Sequence, residues 1–119
     1  MLLKDEVELL RRIPLFAAIG PAKLKLLAFT SERMSFKPGQ ILFEQGDPGD
    51  AAYVVLSGKA DILVDQGSER IKVASVKNDD FIGEIAILCE IPRTATVQAS
   101  EPLETLRISK DHFMGLMTE

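Results

Sequence analysis

The pattern of hydrophobic and polar residues changes once along the chain, near Met34. Before that residue, apolar side chains recur at helical spacing in two segments, the first ended by Pro14 and the second begun by Pro21. After it, short β-branched runs alternate with polar residues, and turn-forming residues interrupt them roughly every eight to twelve positions. The pattern predicts two short helices, which either cover a core or present a partner surface, followed by a mainly β domain.

Six short strands are expected in this second part. They are predicted at 41–43, 52–56, 60–64, 71–73, 94–97 and 103–108. Strands of this length and spacing favour an antiparallel sandwich or barrel, and the absence of a βαβ rhythm argues against a doubly wound nucleotide fold. A last helix is expected from Lys110, with Ser109 as its N-cap. Its apolar residues Phe113, Leu116 and Met117 need a surface to bury them, which suggests a longer parent protein.

Composition limits the possible functions. The chain has 119 residues, 46% of them hydrophobic, and a formal net charge of −4, so one domain with a real core is expected and a nucleic-acid surface is not. Cys89 and His112 are the only residues of their types, which argues against disulfides and against a metal or other cofactor site. No catalytic constellation can be assembled, so no enzyme activity is predicted. The expected location is the cytoplasm, including the cytosolic part of a membrane-associated protein.

The stretch from Phe81 to Val97 carries the most distinctive chemistry. Gly83 precedes a short apolar run that can form one or two helical turns, and the N-terminus of a helix attracts anions. Strand alternation after Pro92 places Arg93 on the inward face, where a cation needs an anionic partner. Two partners remain open: the carboxylate of Glu84, in a structural ion pair, or the phosphate of a ligand.

Glu84 limits the kind of phosphate ligand that could pair with Arg93. A carboxylate beside a phosphate would repel it, so Glu84 has to face a donor such as a sugar hydroxyl. With a ligand present, the pair Glu84 and Arg93 therefore indicates a sugar phosphate rather than free phosphate.

The same residues resemble a known family. Residues 81–88 followed by 92–97 are similar to the phosphate-binding cassette of cyclic nucleotide-binding domains, which occur in protein kinase A regulatory subunits, cyclic-nucleotide-gated channels and catabolite-activator-type transcription factors. Residues 12–16, 36–47 and 53–60 resemble the family's N-terminal helices and early strands, so the resemblance covers nearly the whole chain. It implies a β-roll, also described as a jelly roll, with a cassette helix.

The resemblance also implies roles for individual residues. Gly83, Ile85 and Ala86 would offer backbone N–H groups to the cyclic phosphate, Glu84 would accept from the ribose 2′-hydroxyl, and Arg93 would pair with the phosphate. Thr94 stands where kinase-type cassettes have alanine, and its hydroxyl would permit binding of cyclic GMP without excluding cyclic AMP. The side chains expected near the base are Ile71, Val73, Ile82 and Leu88.

The expected organisation is one domain over residues 1–119. It consists of N-terminal helices at 1–32, the β-roll at 33–109 with the cassette at 81–97, and the start of a hinge helix at 110–119. The helix that covers the base in many family members has no counterpart here, so a partly exposed base is expected. The predicted function is a sensor that transmits the binding of a cyclic nucleotide to an attached effector. Two alternatives remain: a β-roll that binds no ligand, with Glu84 neutralising Arg93, and the sensor half of a transcription factor. No contact of this domain with nucleic acid or membrane is expected.

Overall fold

The computed structural model describes the backbone of residues 3–117, together with the side chains of residues 7–115 apart from Leu15. The predicted packing of Leu116 and Met117 therefore lies outside the described residues. None of the helices within 3–117 combines the length and the apolar character needed to cross a bilayer.

Residues 3–117 form four α-helices and eight strands. The helices are α1 (Leu3–Arg11), α2 (Pro21–Thr30), α3 (Glu84–Leu88) and α4 (Lys110–Met117), and a 3₁₀ turn spans Pro14–Phe16. The strands are β1 (Glu32–Phe36), β2 (Ile41–Phe43), β3 (Ala51–Ser57), β4 (Ala60–Gln66), β5 (Glu69–Val76), β6 (Phe81–Ile82), β7 (Thr96–Ala99) and β8 (Leu103–Ser109).

The strands form two antiparallel sheets of four. One sheet has the order β1-β8-β3-β6 and the other the order β2-β7-β4-β5. Strands that are distant in sequence are thus neighbours in space, as in a β-roll, and the predicted fold class is confirmed.

Three strands differ from the prediction. The two-residue strand β6 was not predicted. Strand β1 was missed, because it is largely exposed and only Met34 and Phe36 on it are even half-buried, so its apolar alternation is weak. The strand predicted at 94–97 begins instead at Thr96, after a bend at Thr94 and Ala95. Thr96 is nevertheless fully buried, and its hydroxyl oxygen accepts a hydrogen bond of 2.9 Å from the N–H of Gln45.

Strand β3 is buried on both faces, which explains its unbroken apolar sequence. Ala52, Val54 and Leu56 pack against the helices, whereas Ala51, Tyr53 and Val55 face the interior of the roll. A strand that alternated apolar and polar residues could not fill both layers. The N-terminal helices α1 and α2 therefore cover the outer face of the first sheet through Leu9, Leu10, Leu24 and Leu27.

An aromatic cluster joins the helices to the segment that precedes Gly83. The ring of Phe81 lies 5.2 Å from that of Phe16 and 5.9 Å from that of Phe113, measured between centroids. These distances fall in the range of favourable aromatic pairs. The cluster places the C-terminal helix α4 directly against the start of the cassette.

Gly58 is the residue that the turn between β3 and β4 depends on. It has φ +100°, and a Cβ atom added there would collide with the carbonyl oxygen of Pro102. We expect Gly58→Ala to lower the free energy of unfolding by about 1–3 kcal/mol more than Gly46→Ala, because overpacking adds to the cost of a positive φ. Gly46 is a matched control, with φ +94° and no atom within 4 Å of the place that a Cβ would occupy. Urea denaturation measures both losses, and equal losses would contradict the steric explanation.

Candidate functional site

Arg93 is a buried cation at the centre of the site. Only 3% of its surface is exposed. Its Nη1 donates a hydrogen bond of 2.9 Å to the carbonyl oxygen of Gly83, and its Nη2 donates to that of Ala51. Its Nε finds no hydrogen-bond partner among the described residues. The guanidinium is therefore held firmly while one of its donors remains unused.

Two side chains complete the surroundings of this guanidinium. The ring of Phe43 lies beneath it, with 3.9 Å between the ring centroid and Cζ, which is a cation–π contact. Asp50 approaches Nη2 with one carboxylate oxygen at 3.5 Å, yet the Asp50 side chain is 70% exposed. Burial lowers the pKa of Arg93, and the negative charge of Asp50 opposes this effect. The arginine still remains cationic at neutral pH, because its ordinary pKa is so high.

The backbone of the turn before β3, residues 46–50, forms hydrogen bonds with Arg93 and with the first residue of α4. Gly46 N–H donates to the carbonyl oxygen of Arg93, and Arg93 N–H donates to that of Asp47, both at 2.8 Å. At the other end of the turn, the carbonyl oxygen of Asp50 accepts from Lys110 N–H at 2.8 Å. The residue that faces the buried cation is thus also bonded to the first residue of α4.

Gly83 brings the cassette onto the arginine. It caps α3 with φ +88°, a conformation that glycine adopts without strain. A Cβ atom there would lie 2.7 Å from Nη1 of Arg93 and 3.3 Å from the carbonyl oxygen of Ala51. The absence of a side chain therefore permits the close contact as well as the turn.

The other predicted site residues lie on β5, on β6, on α3 and at the bend before β7. Glu84 is half-buried and, with Leu88, borders a cavity of about 410 Å³ near Ile13, Pro14 and Phe81. Ala86 is buried, whereas Ile85 and Thr94 are exposed. Of the predicted site residues, Gly83 is thus in direct contact with Arg93. Thr94 is the residue that follows Arg93 in the sequence.

The side chains predicted near a base are divided between the core and the surface. Ile82 is buried and packs in the core of the roll with Tyr53 and Val55. Ile71 and Val73 are exposed on β5, which is an edge strand of its sheet. Leu88 is also exposed, on α3.

The ion pair between Glu84 and Arg93, one of the two alternatives left open for Arg93, is not formed. Arg93 pairs with Asp50 instead, and Glu84 makes no ion pair with it. Sequence reasoning also missed Phe43 and the carbonyl group of Ala51. One signal could have pointed to Asp50. An inward arginine requires an anionic partner, and the turn before β3 offers a carboxylate just as the cassette does.

Comparison with known proteins shows the family of the chain. A family model described as the cyclic nucleotide-binding domain matches residues 33–119. The chain belongs to this family. The resemblance inferred from the cassette and the early strands is confirmed.

Curated relatives of this cyclic nucleotide-binding domain include regulatory subunits of cAMP-dependent protein kinase. The Emericella nidulans subunit is 32% identical over 108 residues, which are 91% of this chain and 26% of the relative. The Yarrowia lipolytica subunit is 34% identical over 108 residues, 91% of this chain and 28% of the relative. The chain thus spans about a quarter of the length of these relatives.

Solved structures share the fold closely. A cyclic nucleotide-binding-like protein from Brucella abortus has a TM-score of 0.85 at 29% identity and covers 97% of this chain and 99% of its own. The regulatory domain of Toxoplasma gondii protein kinase A, in a co-crystal with cAMP, has a TM-score of 0.89 at 24% identity over 97% of this chain and 45% of its own. The second likeness concerns the fold alone.

Gly83→Ala tests why glycine is required at this position: because of the close contact with Arg93, or only because of the positive φ of the turn. We expect this variant to lose at least about 1 kcal/mol more stability than Gly39→Ala, because its new methyl group collides with the guanidinium. Gly39 has nearly the same φ, +92°, with open space where a Cβ would stand. Urea denaturation of the two variants gives the difference, and losses equal within error would show that the turn alone requires glycine.

Proposed function

We propose that this domain is a non-catalytic sensor that binds a 3′,5′-cyclic nucleotide and transmits binding to an attached effector. The observation that supports it best is the buried guanidinium of Arg93, which Gly83 and Ala51 hold in place and no buried carboxylate among the described residues neutralises. Family membership supplies the chemical class of the ligand. The relatives are named as regulatory subunits of cAMP-dependent kinase, so we propose cyclic AMP as the first ligand to test.

The phosphate is assigned to the cassette and the arginine. A planar guanidinium suits the oxygens of a phosphate, and burial in a low dielectric strengthens the attraction. The backbone N–H groups of Gly83, Ile85 and Ala86 are proposed as further donors to the same group.

The ribose and the base are assigned to different side chains. Glu84 is proposed to accept from the ribose 2′-hydroxyl, and its lack of an ion pair with Arg93 leaves it available for that role. The exposed apolar residues Ile71, Val73 and Leu88 are proposed as contacts of the base, because their burial by a ligand would be favourable. Ile82 would support them from the core.

The rival hypothesis of an empty roll rests on internal neutralisation of Arg93. The carboxylate at hand is that of Asp50, which is 70% exposed and 3.5 Å away. Solvent screens the charge of this exposed carboxylate, so it neutralises the buried guanidinium only weakly. In addition, the Nε of Arg93 has no hydrogen-bond partner among the described residues. Both observations favour an external anion as the partner of the guanidinium.

Transmission of the signal is proposed to pass from the cassette to α4. Phe81 stands shortly before the cassette glycine and packs on Phe113 of α4. A ligand that prefers one arrangement of the cassette shifts the population of the helix with it. The effector lies outside this domain, and a cytoplasmic location of the parent protein remains a prediction.

Removal of the arginine side chain tests the assigned site. We expect Arg93→Ala to weaken binding of cyclic AMP and cyclic GMP by roughly 3–5 kcal/mol, on the order of a hundred- to several-thousand-fold in Kd, because the phosphate loses its buried partner. Titration calorimetry measures the change, with Arg70→Ala, at an exposed ion pair, as the control. Equal binding by wild type and Arg93→Ala would refute the site, and no binding by wild type at millimolar nucleotide would refute the sensor function.

A second variant separates binding from folding, since Arg93 also bonds to two carbonyl groups. Glu84→Gln should weaken cyclic AMP but leave 2′-deoxy cyclic AMP unaffected, because the deoxy ligand lacks the hydroxyl that Glu84 is proposed to hold. Equal weakening of both ligands would contradict this role.

Thr94 tests the choice of base. Its side chain is exposed at the bend after Arg93, where a hydroxyl can turn toward a ligand. We expect Thr94→Ala to weaken cyclic GMP by about 0.5–1.5 kcal/mol, the worth of one hydrogen bond, and to leave cyclic AMP unchanged. Calorimetric titrations of both nucleotides decide it, and equal effects on the two would rule out a selective role.

A further inference from the structure

Asp50 contacts two arginines, one in the site and one outside it. Its Oδ1 lies 3.5 Å from Nη2 of Arg93, and its Oδ2 lies 3.3 Å from Nη2 of Arg107. Arg107 belongs to β8, opposite Tyr53 of β3, and its side chain is 26% exposed. One carboxylate is thus shared between a buried cation and a half-buried one.

The shared carboxylate acts against the ligand. An anion that approaches Arg93 meets the negative charge of Asp50 beside it, and like charges at short range repel. Asp50 also competes with the anion for Nη2. Any group that draws Asp50 away, or offsets its charge, therefore strengthens the site for an anion.

Arg107 is placed to do both. Its contact with Asp50 is a hydrogen bond as well as an ion pair, and it is shorter than the contact of Asp50 with Arg93. The other carboxylate near Arg107 is that of Glu32, at the longer distance of 3.9 Å. Asp50 is thus the better-placed of its two acidic partners.

We propose that Arg107 is a positioning residue that raises the affinity of the Arg93 site for an anionic ligand by holding and offsetting Asp50. The inference rests on the proposed cyclic-nucleotide function. It adds a residue that lies outside the cassette and acts only through Asp50.

Calorimetry on the whole domain with cyclic AMP tests the proposal. We expect Arg107→Gln to weaken binding about two- to fivefold in low salt, the range of exposed ion pairs. The difference should shrink near 1 M salt, where the Debye length falls to about 3 Å. Arg107→Lys keeps the charge and should restore most of the affinity, which a purely steric role of the side chain would not allow.

Two further variants show whether the effect passes through Asp50. Arg33→Gln removes the same charge from the same sheet, at an ion pair with Glu104 on its surface, and should leave the Kd close to that of wild type. In an Asp50→Asn background, the Arg107→Gln change should lose most of its effect, because the carboxylate that it controls is gone.

The outcomes separate this inference from the proposed function. If wild type binds cyclic AMP and Arg107→Gln binds it equally well, the role of Arg107 is refuted and the sensor function stands. The role is refuted as well if Arg33→Gln weakens binding as much, or if the effect persists in full with Asp50→Asn. If wild type binds no nucleotide, both proposals are refuted.

Discussion

The burial of one guanidinium is the constraint that the site depends on. A cation removed from water must be given polar partners, and here the backbone provides most of them. The carbonyl groups of Gly83 and Ala51 take two of its donors, so the start of α3 and the start of β3 are held by the same side chain. The close contact in turn excludes a side chain at Gly83.

The two faces of β3 connect this constraint to the rest of the molecule. One face of β3 packs in the interior of the roll, and the other face packs against the helices. This strand, which adjoins the site, therefore belongs to both hydrophobic clusters. Phe81 extends the connection from the cassette to α4 through its contact with Phe113. The site is therefore built into the packing of the domain and not attached to its surface.

Local patterns were enough to predict much of this arrangement. Turn residues and β-branched runs indicated most strands, and the inward position of Arg93 followed from the small apolar residues that succeed it. The partners of Arg93 could not be predicted in the same way, because Ala51 is 42 residues away and the path of the intervening turn decides which groups reach the guanidinium. Glu84 was the plausible choice from sequence, yet its side chain borders a cavity on α3 while Asp50 makes the ion pair. The burial of Thr96 could not be predicted either, because the segment that covers it, at Gln45, is 51 residues away.

Asp50 makes three polar contacts, two through its side chain and one through its backbone. Its carboxylate faces the two arginines, while its carbonyl oxygen holds the N–H of Lys110 at the start of α4. The backbone of this turn and the first residue of α4 are therefore joined by a single hydrogen bond. The turn cannot move away from α4 without breaking that bond or taking the N–H of Lys110 with it.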